Sequence, residues 1–98
     1  MERYQSEKKR RLLNRVALEF EFLNERASDD KLFDWIYSDE PERYLSLGQM
    51  NVIHFIRHSF DYTYTFNMTD SLITWDRDNR LAFAKCVAHL AESAETLK

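Results

Sequence analysis

Glycine and proline each occur once in the 98-residue chain, as Gly48 and Pro41, and cysteine occurs once, as Cys86. A single glycine excludes Gly-rich phosphate loops and long flexible linkers. A sheet with several tight turns would need more of both residues, so helices are favoured. One cysteine permits no intramolecular disulfide, and stability from packing alone fits a reducing compartment. Long apolar runs are missing too. Charged residues interrupt every hydrophobic stretch before it reaches the roughly 18 to 20 residues of a membrane span. Near the N-terminus Asn14, Arg15 and Glu19 break what would be the apolar part of a secretory signal. A mature, cytoplasmic chain with no membrane association is expected.

Hydrophobic residues make up 44% and aromatics 14% of the sequence, enough to build a core. The length suits a single domain, 1–98. From about Glu2 to Ala27, the residues Leu12, Leu13, Val16, Phe20, Leu23 and Ala27 recur at helical spacing and predict one long helix. Ser28, followed by Asp29 and Asp30, has the form of a cap for a short second helix, with Leu32, Phe33 and Ile36 inward. Pro41 suits the first turn of another short helix. Ser46-Leu47-Gly48-Gln49 reads as a capping box ahead of a helix over about 47–59, carrying Met50, Val52, Ile53 and Ile56.

The period then changes. Phe60, Tyr62, Tyr64, Phe66 and Met68 alternate with polar residues, as in a strand. A turn at Thr69-Asp70-Ser71 and a return strand over Leu72-Ile73-Thr74-Trp75 complete a predicted β-hairpin at about 60–75. Asp76 or Asp78 caps a last helix whose stripe is Phe83, Val87, Leu90, Ala94 and Leu97. The expected class is α+β and mostly helical, with three N-terminal helices, the hairpin and a long C-terminal helix. An all-α fold is the alternative.

His54-x3-His58 and Cys86-x2-His89 have the spacing of paired zinc ligands, but His54, His58 and His89 all fall on faces turned from the core and no Cys-x2-Cys knuckle is present. Surface histidines and a half-buried Cys86 are the simpler reading, with no metal and no cofactor. A Cys86–His89 nucleophile lacks an oxyanion loop, and Asp76-Arg77-Asp78 reads as capping sequence, so no enzyme is expected.

Charge is segregated. Residues 1–15 hold six bases against two acids, and residues 19–42 hold nine acids against two bases. Lys8, Lys9, Arg10, Arg11 and Arg15 could contact phosphates, while the acidic stretch and a pI near 5.6 oppose it. The plain alternative is a solvated helix end with pairs such as Glu7 with Arg11. A second, smaller apolar face of the first helix carries Tyr4, Leu18 and Phe22 beside Arg11 and Arg15, a composition suited to interfaces. The tyrosine-bearing strand offers an edge for a second copy.

The leading expectation is a small non-catalytic adaptor or inhibitor, of a size common in phage and plasmid genomes, that binds a larger protein. Leu18, Phe22, Trp35 and Tyr37 would anchor it. Asp29, Asp30, Asp34, Asp39, Glu40 and Glu42 would steer it toward a basic surface. A homodimer is compatible with both this and the alternative, a dimeric DNA-binding transcriptional regulator using the basic N-terminal helix.

Overall fold

The computed structural model describes residues 7–28 and 31–98. The positions Glu2, Tyr4, Asp29 and Asp30, and the cap expected from the Ser28 side chain, lie outside the described residues. Six α-helices follow in order: α1 Glu7–Leu18, α2 Leu32–Ile36, α3 Glu40–Tyr44, α4 Leu47–Phe60, α5 Met68–Thr74 and α6 Arg77–Glu92. The described residues contain no strand, so the fold is all-α.

The first stripe is in the core as expected: Leu12, Leu13, Val16, Phe20, Leu23 and Ala27 are all buried. The single long helix is corrected. α1 stops at Leu18, and tight 3-10 turns at Glu21–Leu23 and Arg26–Ser28 carry the stripe onward. A 3-10 turn repeats every three residues, so Phe20 and Leu23 keep the inward spacing although the α-helix has ended.

Local chemistry sets the other boundaries. The Ser46 hydroxyl accepts from the Gln49 N–H while the Gln49 side chain accepts from the Ser46 N–H, closing the capping box that starts α4. Pro41 occupies the first turn of α3. Of the two candidate caps for α6, Asp76 accepts from the Asn79 N–H. The α6 stripe is rotated from its expected phase: Cys86 is completely buried, whereas Val87 is 45% exposed.

The hairpin does not form. Asp61 ends α4, and its carboxylate accepts from both the N–H and the hydroxyl of Thr63, folding the chain into a turn. Asn67 then caps α5 by accepting from the Asp70 N–H, so residues expected to turn and return as a strand are helical. The alternating aromatics do not share a sheet face: Tyr62 is exposed, and the other three pack on different neighbours. Phe60 meets Phe33 edge-on, Tyr64 meets Tyr37, and Phe66 joins Phe55, Trp75 and Phe83. Trp75, almost fully buried, anchors this cluster and donates its indole N–H to the Gly48 carbonyl at 2.9 Å.

Among the described residues Arg57 is the one charged side chain in the core, 5% exposed. Its Nε donates to the Ile36 carbonyl at 2.7 Å, and its terminal nitrogens donate to the Ser38 carbonyl at 2.9 Å and to both Glu42 carboxylate oxygens at 2.8 and 3.1 Å. The planar fork thereby ties α4 to the end of α2 and to α3. Tyr37 completes the junction by donating its hydroxyl to the Arg57 carbonyl at 2.9 Å.

Arg57→Ala strips donors from two backbone carbonyls and a carboxylate, and is expected to lower the unfolding free energy by about 3 kcal/mol. Urea denaturation measures it, and Arg57→Lys should recover less than half because the fork is lost. A loss under about 1 kcal/mol would contradict this role. The hydrogen bond from Arg57 holds the Glu42 carboxyl below its usual range. A depressed carboxylate stabilises the fold at pH above its ordinary pKa of about 4.3 and loses that contribution as pH falls through the folded value. Glu42→Gln should therefore be less stable than the parent at neutral pH, and the gap should close in acid.

Candidate protein-docking surface

Where α1 ends, the tight turn at Glu21–Leu23 drives Leu23 into the core and leaves Phe22 half-buried. In α2, Leu32, Phe33 and Ile36 point inward, which turns Trp35 sideways. The Arg26 guanidinium lies 4.0 Å from the Trp35 ring centre, within cation–π range. Tyr44, 72% exposed, with Leu45 and Gln49 forms the opposite side. The result is an open groove of about 560 Å³ lined by Phe22, Glu25, Arg26, Trp35, Tyr44, Leu45 and Gln49. The Trp35 indole N–H is buried without a hydrogen-bond acceptor among the described residues. An unmet buried donor costs about 1–3 kcal/mol.

The structure divides the predicted anchors. Phe22 and Trp35 share this groove, but Leu18, 54% exposed, lines another. The proposed common face of Leu18 and Phe22 is absent because the helix ends between them. Tyr37 is engaged inside the fold, stacked on Phe33 and bonded to Arg57, and burial pushes its phenol well above the ordinary value, with the Asp61 charge adding to the effect.

The acids divide as well. Glu42 is taken by Arg57, and exposed Asp39 pairs with exposed Arg43 at 3.3 Å. Asp34 and Glu40 are exposed and make no ion pair among the described residues.

The basic residues do not form one continuous face. Arg10 sits 5.6 Å from the Phe33 ring, and Arg11 pairs with Glu7 at 3.3 Å on the exposed surface. Lys8, Arg11 and Arg15 line a second groove of about 430 Å³ with Leu12, Asn14, Leu18, Ser93 and Thr96, where the C-terminal turn meets α1. Lys9, half-buried, is not among the residues that line it.

The histidines and Cys86 go separate ways. His58 bonds the Tyr64 carbonyl at 2.7 Å through Nδ1, and His89 Nε2 lies 2.9 Å from the Glu19 carboxylate. Cys86 is buried, not half-buried, and donates its thiol to the Val16 carbonyl at 3.2 Å. No cluster of three or more His, Cys, Asp or Glu suited to a metal ion occurs among the described residues. No helix among them is long and apolar enough to cross a membrane.

Sequence reasoning missed Arg26, Tyr44 and Gln49, whose groove is assembled from separate segments with no shared period. It also missed Arg57, for which a signal existed: the residue lies four positions after Ile53 and so shares the buried stripe of α4. Comparison with protein-family models, with curated proteins and with solved structures finds no match.

Burial, and then the nearby Glu19 charge, pushes the Cys86 thiol up to about 12. The native protein should leave Cys86 unmodified by a thiol reagent at about pH 8, and the urea-unfolded chain should react fully. Rapid reaction in the native state would show the thiol to be accessible.

Proposed function

We propose that the protein is a non-catalytic adaptor or inhibitor, acting in the cytoplasm, which binds a basic surface of a larger protein through the Phe22–Trp35 groove. The observation that carries this reading is the Trp35 ring, partly exposed in the groove with the Arg26 guanidinium 4.0 Å from its centre. Tryptophan, tyrosine and arginine dominate interface energies because they join large contact area to directed polar groups. Phe22 and Tyr44 extend the apolar surface, while Glu25 in the groove and the exposed Asp34 and Glu40 nearby in sequence supply negative charge. Such acids raise the association rate with a basic partner more than they raise affinity.

A DNA-binding regulator is the second reading, favoured by the convergence of Lys8, Arg11 and Arg15 on one groove. Only three of the five predicted bases take part, and the acidic segment repels a polyanion.

Affinity capture from host lysate with mass spectrometry, using matched variants, separates the two. A basic protein should be recovered with wild type and with R11E/R15E, and binding of the purified partner should weaken at least about tenfold on Trp35→Ala. Micromolar or tighter binding of a labelled duplex, falling steeply with salt and lost in R11E/R15E, would overturn the adaptor reading.

A further inference from the structure

We propose that the groove of Lys8, Arg11, Arg15 and Leu18 receives the outer surface of α2 and α3 from a second copy of this chain. The second copy uses Tyr44, Asp34 and Glu40, which the partner reading also uses, so the two contacts compete. On the outer face of α1, Arg11, Arg15 and Leu18 follow at intervals of four and three and so stand on one side of the helix. Among the described residues Arg11 is held only by an exposed ion pair to Glu7 at 3.3 Å, a kind of pair that contributes little and is easily exchanged. Lys8 and Arg15 make no ion pair among the described residues.

Leu18, 54% exposed in the same groove, decides between kinds of anion. A phosphate backbone would leave this apolar side chain uncovered, whereas a helix surface bearing both acids and an apolar group would bury it. The chain carries such a surface. Glu40 and Tyr44 are one turn apart on α3, with Tyr44 72% exposed, and Asp34 is exposed on α2. Bases beside a leucine on one copy thus face acids beside a tyrosine ring on the other.

The charge balance agrees, because residues 1–15 are net basic and residues 19–42 net acidic. Contact of this kind joins unlike surfaces. A two-fold axis closes it by letting each copy give one groove and one acidic surface, which doubles the contact. The interaction is also strongly screened, since the Debye length falls from about 10 Å at 0.1 M salt to about 3 Å at 1 M.

Sedimentation of the whole protein tests this without any variant. Mass should rise from monomer toward dimer as concentration increases to about 300 µM in low salt, and should return to monomer at about 1 M salt. Charge reversal then tests the surfaces. R11E/R15E and D34K/E40K alter exposed side chains, so each should keep the parent circular dichroism spectrum and be monomeric. An equimolar mixture of the two should recover the dimer as a heterodimer in native mass spectrometry.

A monomer at the highest concentration in low salt would overturn the proposal, as would a dimer that survives R11E/R15E or a mixture that stays monomeric. A wild-type monomer that binds a duplex through Arg11 and Arg15 would overturn it in favour of a phosphate site. Failure of the partner reading is a different result, namely capture of a basic protein that is indifferent to Trp35→Ala.

Discussion

The Arg57 guanidinium is the constraint on which the candidate docking surface depends. α2 and α3 each have five residues, too few to be stable as isolated helices, so tertiary contacts must hold them in place. Arg57 supplies several of those contacts from a single side chain, because its fork meets the end of α2, the link at Ser38 and the Glu42 carboxylate together. Desolvating a guanidinium is costly, and only satisfaction of its donors makes burial tolerable. That requirement selects one geometry for the 36–42 segment. Trp35 and Tyr44 lie just outside the segment on either side, so both aromatic walls of the groove are set by it.

Internal pairing also explains why the acidic segment is less uniform in space than in sequence. Glu42 serves Arg57, and Glu19 meets His89 across the α1–α6 interface. Both are used to join elements. Asp34 and Glu40 remain on the outside, where they shape the field met by an approaching partner. The basic run divides in the same way, with Arg10 packed toward Phe33 and Arg11 and Arg15 beside Leu18. A charge block in sequence therefore became two functions, cohesion and presentation.

What was legible in the sequence was what one local rule decides. The first apolar stripe, the Ser46 capping box, Pro41 at the start of α3 and the Asp76 cap each follow from residues within a few positions. Residues 60–75 were misread because a period of two is only half of a strand: without a partner edge it has no ladder to join. Tertiary packing of Tyr64 and Phe66 on two separate neighbours prevailed, and Asn67 had the chemistry of a helix cap all along. The α1 boundary failed for a subtler reason, since a 3-10 turn preserves the inward spacing that announces a helix. The docking groove was only partly legible. Phe22 and Trp35 were visible as apolar residues in a polar setting, whereas Arg26, Tyr44 and Gln49 reach them only through the fold.

The loop from Tyr62 to Asn67 retains the composition that suggested a strand. It is uncharged, rich in aromatic and β-branched residues, and free of proline and glycine. Those are the traits of segments that stack between chains as cross-β ribbons. In the native state the ring of Phe66 is locked among Phe55, Trp75 and Phe83, and the His58 ring holds the Tyr64 carbonyl. Phe66 in the aromatic cluster and the Tyr64 carbonyl on His58 thus pin at two points a stretch whose other side chains are exposed, and keep its backbone from the extended form that pairs with copies of itself.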